Sequence, residues 1–261
     1  MMTTTLRPSG PLQQADDGTR SRSYEVCVNS RPVGTVRVGT LPAPGARPLG
    51  TISGLRVAEA DRGRGRGTVA ALAAEEVLRG WRCDRVRIAV PADAPAARRL
   101  ATALGYTESG HVLVKDFTAP AEPAPRLPAG LEIRPMTGAE AAAWIAADPP
   151  RAARLPEGPA TDGTRLHVAV RDGVRAGHLW TGWRDLPAGE RVPYVWEVAV
   201  AEGERRKGHG RALMRFAEQL VRAGGGDRLA LRVDPGNGPA RALYASLGYR
   251  PLLTDYEKVL Y

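Results

Sequence analysis

The stretch Val198-Ala-Val-Ala-Glu-Gly-Glu-Arg205-Arg-Lys-Gly208-His-Gly210-Arg211 leads from an apolar, strand-like run into a basic, glycine-rich turn. Beyond it Leu213, Phe216-Ala217 and Leu220-Val221 recur at helical spacing, so the turn joins a strand to an amphipathic helix. Arg228–Val233 reads as the next strand. A short helix then ends in Leu247-Gly248-Tyr249, with Gly248 where a left-handed helix cap belongs. The same series stands 143 residues earlier: Leu55–Tyr106 lies over Val198–Tyr249 without a gap, and 18 of the 52 paired positions are identical. The matches include Arg62 with Arg205, Gly65 with Gly208, Gly67 with Gly210, and Leu104-Gly105-Tyr106 with Leu247-Gly248-Tyr249. The chain therefore holds two copies of one strand–helix–strand unit, which implies an α/β fold with neighbouring parallel strands.

The rest of the chain divides around that repeat. Residues 1–22 lack periodicity and are expected to be a loose, disordered arm. A strand-like run starts at Ser23, with Tyr24, Val26 and Val28 alternating against polar neighbours, and Thr35–Val38 completes an expected hairpin. This gives a first domain over 23–117. Residues 118–130 (TAPAEPAPRLPAG) hold four prolines and little that packs, the mark of a linker. A second domain over 131–261 opens on the strand Leu131-Glu-Ile-Arg134 and a helix from Gly138, with further strands near His167–Val170, Ala176–Trp183 and Tyr194–Val200. The first domain has no room for that opening segment and is truncated by comparison.

Composition narrows the function classes. At 43% hydrophobic and 25% charged residues the chain matches soluble globular averages, which excludes wholesale disorder and a fibre. No apolar run reaches the length of a membrane span, and Met1–Arg20 lacks an apolar signal core, so a cytoplasmic chain without a membrane partner is expected. Cys27 and Cys83, with the scattered His111, His167, His178 and His209, have neither disulfide-framework nor metal-ligand spacing, so no metal is expected. The net charge of +9 comes from 34 arginines and only three lysines, Lys115, Lys207 and Lys258. It reads as an arginine-rich solvated surface, with affinity for a polyanion as the competing reading.

Glycines let a backbone turn tightly with its N–H groups converging, and a helix N-terminus adds partial positive charge. The turn Arg205-Arg206-Lys207-Gly208-His209-Gly210-Arg211 is thus suited to a pyrophosphate, and Arg62-Gly-Arg64-Gly65-Arg-Gly67 offers the same in the first copy. An ordinary loop has the same composition. It is neither a Walker loop nor a dinucleotide-binding GxGxxG.

The combination R-x-x-G-x-G after a Val-Ala-Val strand, then Asn237-Gly-Pro-Ala-Arg-Ala-Leu-Tyr244-Ala-Ser-Leu-Gly-Tyr249, resembles the GNAT superfamily of acyl-CoA-dependent N-acyltransferases. The resemblance covers 131–261 as a full domain and about 23–117 as a shortened one, giving two tandem α/β domains, each with a mixed sheet. It implies acetyl-CoA as co-substrate, held by the main chain at Val198 and Val200, by the turn from Arg205 to Arg211 and by Asn237. A possible second cofactor site lies at Arg62, Arg64, Gly65 and Gly67. It also implies Tyr244 as the acid near the departing sulfur, which a phenol with an ordinary pKa near 10 can serve as at neutral pH. The general base is Glu197, unless it faces away: some family members carry a glutamate three residues earlier, where this chain has Tyr194, and strand alternation puts 194 and 197 on opposite faces unless a bulge shifts the phase.

The first copy has Ala101 for Tyr244, Ala94 for Asn237 and Gly54 for Glu197. Trp180, Trp183, Tyr194 and Trp196 crowd the approach to the second site, as pocket lining or as core. The expected function is transfer of an acetyl group to the primary amine of a small molecule by direct attack in the second domain. An aminoacyl-tRNA donor is the alternative, which the positive charge suits, and a non-catalytic acyl-CoA-binding protein is the third reading. The chain is expected as a monomer or homodimer.

Overall fold

The computed structural model describes residues 3–41, 47–117, 127–148, 163–186 and 189–261. The chain divides into two compact units: unit 1 comprises Met1–Gly110 with Leu253–Tyr261, and unit 2 comprises His111–Leu252.

In unit 2, β8 (Leu131–Pro135), β9 (Arg165–Arg171), β10 (Val174–Asp185) and β11 (Arg191–Val200) form a run of antiparallel neighbours. Helix α3 (Gly138–Ala146) follows β8 and starts with a full capping box: the Thr137 hydroxyl accepts from Glu140 N–H, and Glu140 reaches back to Thr137 N–H. After β11 a short turn at Glu202–Glu204 leads into α4 (His209–Ala223), and β12 (Arg228–Val233) returns parallel to β11. Helix α5 (Gly238–Ser246) comes next, and Gly248 takes the expected left-handed cap with φ +87°. Leu179, Val195, Leu213, Met214, Ala217, Leu229 and Leu231 form the main core, while Trp144, Trp180 and Leu166 make a second cluster under α3.

Unit 1 repeats the plan with β3 (Arg20–Val28), β4 (Arg31–Leu41) and β5 (Leu49–Val57), then α1 (Arg66–Gly80), β6 (Arg85–Pro91) and α2 (Pro95–Ala103). Its core is Val26, Val36, Val38, Ala70, Ala74, Leu78 and Val86, all essentially without solvent contact. Cys27 and Cys83 are buried free thiols.

Two expectations need correction. The loose arm is ordered over its described residues: β1 (Thr4–Pro8) pairs antiparallel with β3, and the two-residue strand β2 (Gln13–Gln14) pairs beside it. Leu6 packs on the core and Arg7 makes an ion pair with Glu25. Main-chain bonds cover an edge that would otherwise stand open, and they leave almost no apolar pattern in five residues. The boundary is also different, because the copies exchange their last strands. In β7 (Thr107–Asp116), residues His111–Asp116 lie antiparallel to β12 in unit 2. In β13 (Arg250–Val259), Leu253–Val259 lie antiparallel to β6 in unit 1. A hydrophobic pattern reports that a strand exists, not which sheet it joins. Of the expected linker only Leu127–Gly130 lies within the described residues.

Gly34 and Gly177 occupy the same position in the two copies, and each lies where a partner strand comes too close for a side chain. A Cβ would stand 2.1 Å from Arg56 O at Gly34 and 2.5 Å from Ala199 O at Gly177. Gly177→Ala is therefore expected to lower unfolding free energy by about 1–3 kcal/mol, the usual cost of overpacking. Chemical denaturation checks this, and an unchanged midpoint would contradict it.

Candidate active site

The site begins with a strand pair that parts. Strand β11 runs to Val200 and β12 to Val233, yet their parallel pairing consists of Tyr194 with Ala230 and Val195 with Leu231. Past Val195 the main-chain N–H and C=O groups of β11 are not paired with β12 among the described residues. Such groups need hydrogen bonds, and an extended ligand with its own amides satisfies them as an added strand does. In unit 1, β5 and β6 pair from Leu49 to Ile52 and part at the equivalent position.

A bulge sits where the strands part. Trp180 pairs with Glu197 and Thr181 with Val195, so Trp196 is the extra residue on β11. The phase shift brings Glu197 to the side of α3. There Oε1 of Glu197 lies 2.8 Å from Nε2 of His178, and the His178 ring is edge-on to Trp144 at 5.4 Å. Nη2 of Arg175 stands 3.2 Å from Nδ1 of His178. A guanidinium only donates, so Nδ1 accepts and the proton sits on Nε2, donated to Glu197. The carboxylate is partly buried and oriented, not a loose surface acid.

Val198 and Val200 turn their side chains to the main core, leaving main-chain groups as their means of contact. Tyr244, on α5, is buried in that core with its ring edge-on to Tyr249 at 5.9 Å. Burial, with Tyr194 close by, pushes its hydroxyl up to about 12. Tyr194 packs against Trp196 at 4.8 Å, and its hydroxyl accepts from Nη1 of Arg184 at 2.5 Å. Trp180 is fully buried and Trp144 nearly so, so these two are core rather than pocket lining, while Trp196 is half-buried beside them. Tyr194, Trp196, His178 and Glu197 are thus neighbours.

The glycine-rich turn is built from left-handed residues. Arg206 has φ +60° and Gly208, the N-cap of α4, φ +86°; Gly63 and Gly65 repeat this with φ +71° and +72°. Alternating hand gathers successive N–H groups into a concavity for an anion. The side chains divide the labour differently from the sequence expectation. His209 is buried, its Nε2 2.9 Å from Glu204 Oε2, and Lys207 Nζ is 2.8 Å from Glu204 Oε1. His209 braces the turn from behind, because a helix's first residue points back along the chain, while Lys207 reaches the same carboxylate from the exposed side. Unit 1 has the same brace in other residues: buried Arg66 pairs with Asp61, which also takes Arg31 at 2.9 Å. Arg205 reaches Val200 O at 3.5 Å and Arg62 reaches Val57 O at 2.9 Å, tying each turn to its strand end. Arg64, Arg206 and Arg211 are exposed, and Arg211 also donates to Ser246 Oγ. Gly210 and Gly67 leave room for Leu243 and Leu100, where a Cβ would come within 3.3 and 3.6 Å. Asn237 caps α5, its Oδ1 accepting from Ala240 N–H at 3.1 Å, and it is exposed. Among the described residues no group of three or more His, Cys, Asp or Glu side chains is arranged to hold a metal ion, and no helix is long and apolar enough to cross a membrane.

His178 and Arg175 escape a reading of the sequence. Only the paired register of β10 and β11, bulge included, brings His178 to Glu197, and no short motif encodes it.

Diverging parallel strands, a bulge beside them and a left-handed turn at a helix start thus occur together in unit 2. The family model described as "Acetyltransferase (GNAT) family" matches residues 4–106 and 136–249, and the chain belongs to that family. A mycothiol acetyltransferase of Thermobispora bispora is 34% identical over 74% of this chain and 70% of its own length. Another from Saccharomonospora viridis is 30% identical over 97% of this chain and 88% of its own. In fold the chain is similar to a GCN5-related N-acetyltransferase from Sphaerobacter thermophilus (TM-score 0.63, 20% identity, 91% of this chain and 80% of that one). It is also similar to a tandem GNAT protein of the clavulanic acid biosynthesis pathway (TM-score 0.56, 19% identity, 94% and 85% covered).

Lys207 and His209 hold the Glu204 carboxyl down to about 2, from an ordinary 4.5. A depressed carboxylate contributes stability that is whole above the unfolded pKa and is lost as pH falls through the folded one. Glu204→Gln is therefore expected to reduce the acid-side loss of stability between pH 4.5 and 2, read from thermal melts across that range.

Proposed function

We propose that unit 2 transfers the acetyl group of acetyl-CoA to the primary amine of a small molecule by direct attack, and that unit 1 does not catalyse. The observation that carries this is that unit 2 holds both a buried Tyr244 on α5 and a Glu197–His178 pair on β11 and β10, where unit 1 has Ala101 for Tyr244 and Gly54 for Glu197. The acetyl-CoA chemistry of the family and the relatives called mycothiol acetyltransferase support a small-molecule acceptor. Because Tyr194 stands where some members carry a glutamate, the acceptor is left at the class of a small primary amine.

In this mechanism the pantetheine arm adds to the open edge of β11 at Val198–Val200, and the pyrophosphate takes the N–H groups of the turn, with Arg206 and Arg211 as counter-charges. Glu197, oriented by His178, accepts the proton of the incoming ammonium. The neutral amine attacks the thioester carbon, and β11 N–H groups hold the oxyanion that forms. On collapse the C–S bond breaks and the thiolate leaves, while the nitrogen gives its second proton to Glu197, which has by then passed the first to solvent water. Tyr244 donates a hydrogen bond to that sulfur. A tyrosinate with a conjugate-acid pKa of about 12 is a stronger base than a thiolate, so the phenol steadies the leaving group and regains its full proton as solvent protonates the thiol.

Isothermal titration of the nucleic-acid-free protein with acetyl-CoA tests the donor. Binding that is lost on Gly208→Val assigns the turn of unit 2; no binding at all would overturn the reading in favour of another acyl donor. Tyr244→Phe is expected to lower kcat about 10²-fold with little change in acetyl-CoA affinity, because the hydrogen bond it removes strengthens only as charge develops on the departing sulfur. Glu197→Gln is expected to lower kcat by a similar factor, and unaltered turnover in either variant removes that residue from the mechanism.

A further inference from the structure

Unit 2 contains a buried Lys–Glu–Tyr group, and its lysine comes from the strand that the first repeat contributes. Lys115, on β7, places Nζ 2.8 Å from Oε2 of Glu218 on α4 and 5.9 Å from the ring centre of Tyr249. Glu218 is nearly fully buried, and its charge with the surrounding burial pushes the Tyr249 hydroxyl far up. Tyr249 in turn touches Tyr244 twice: ring edge to ring face, and through its N–H to the Tyr244 carbonyl at 3.0 Å.

Unit 1 holds the same group at the equivalent positions. Lys258, on β13, bonds both oxygens of the fully buried Glu75 at 2.9 and 2.8 Å and lies 5.4 Å from the ring centre of Tyr106. Tyr106 O–H donates to Glu75 at 2.9 Å, and its N–H bonds the carbonyl of Ala101. In both units the carboxylate and tyrosine belong to one repeat and the cation to the last strand of the other. Among 37 basic residues only three are lysine, and two of them fill these positions. A compact ammonium presents three donors to one buried carboxylate, whereas a planar guanidinium needs a wider slot. The two groups differ in one respect: Tyr249 supports a hydroxyl-bearing Tyr244, and Tyr106 supports Ala101.

We propose that Lys115 is a positioning residue for the reaction, acting through Glu218 and Tyr249 to set the ring of Tyr244, and that the strand exchange thereby makes the active site of unit 2 depend on a residue of the first repeat. This rests on the reading of Tyr244 given above. Without the ammonium, Glu218 keeps only the longer contact from Nη1 of Arg215 at 3.4 Å, and the floor under Tyr244 shifts or loosens. Lys258 does the equivalent work in unit 1, where no acid depends on it, so it serves as an internal control of equal structural burden.

The test compares Lys115→Met, Lys258→Met and Tyr244→Phe in the full chain. Hydrogen exchange is followed by mass spectrometry, and thiol release from acetyl-CoA is measured with a panel of primary amines including glucosamine and cysteamine. Lys115→Met is expected to speed exchange in Gly238–Ser246 about tenfold, and to lower kcat about tenfold while the KM for acetyl-CoA stays within about twofold. Lys258→Met is expected to speed exchange in α1 and α2 and to leave kcat unchanged. Equal loss of kcat in both variants, or undisturbed exchange over α5 in Lys115→Met, overturns the proposal. If Lys115→Met does not fold, the double variant Lys115→Met with Glu218→Gln removes both charges together; normal exchange and kcat there overturn the proposal, and a lowered kcat with normal acetyl-CoA affinity supports it. Turnover retained in Tyr244→Phe would instead sink the assignment of the acid, leaving the exchange result to stand or fall separately.

Discussion

The parting of β11 from β12 after Val195 is the constraint on which the rest of the site depends. Two parallel strands that stay paired leave no room between them and no main-chain group to offer. Once they diverge, the edge of β11 has hydrogen-bonding groups to satisfy, and the bulge at Trp196 turns Glu197 toward His178 at the mouth of the same opening. Tyr244 approaches from α5 on the core side. A single irregularity in one sheet thus sets both the unpaired stretch of β11 and the Glu197–His178 pair.

The turn after β11 shows how the two copies solve one problem with different residues. A left-handed N-cap exposes N–H groups that an anion can take, but the turn must be held in that shape. Glu204 with His209 and Lys207 does this in unit 2, and Asp61 with Arg66 and Arg31 in unit 1. In each case an acid in the short turn takes a buried cationic or imidazole side chain from the first residue of the following helix. The brace is retained in both units although Tyr244 and Glu197 are present in only one, so its demand is structural: it holds main chain.

The exchange of β7 and β13 has an energetic side as well. Glu75 and Glu218 are buried carboxylates, costly unless paired, and each has its shortest ion pair to a lysine on a strand from the other repeat, with Arg79 and Arg215 of their own helices farther off at 3.7 and 3.4 Å. Because Lys115 and Lys258 occupy equivalent positions, either lysine suits either carboxylate, so the ion pair by itself does not distinguish exchange from a local return of each strand.

The repeat of Leu55–Tyr106 over Val198–Tyr249 was enough by itself to establish two copies of a strand–helix–strand unit, because helical and strand periodicities are local and the glycines of the turns mark positive φ directly. Gly208 and Gly248, the helix from Gly138 and the difference between Ala101 and Tyr244 were legible in the same way. The ordered β1, the strand exchange, the phase of Glu197 and its partner His178 were decided by tertiary structure. Each depends on which main chain lies next to which, and a bulge of one residue reverses the face of every side chain beyond it. His209 shows the limit most plainly: its position in a phosphate-type motif suggests a ligand contact, yet the direction in which a first helical residue points buries it against Glu204 instead.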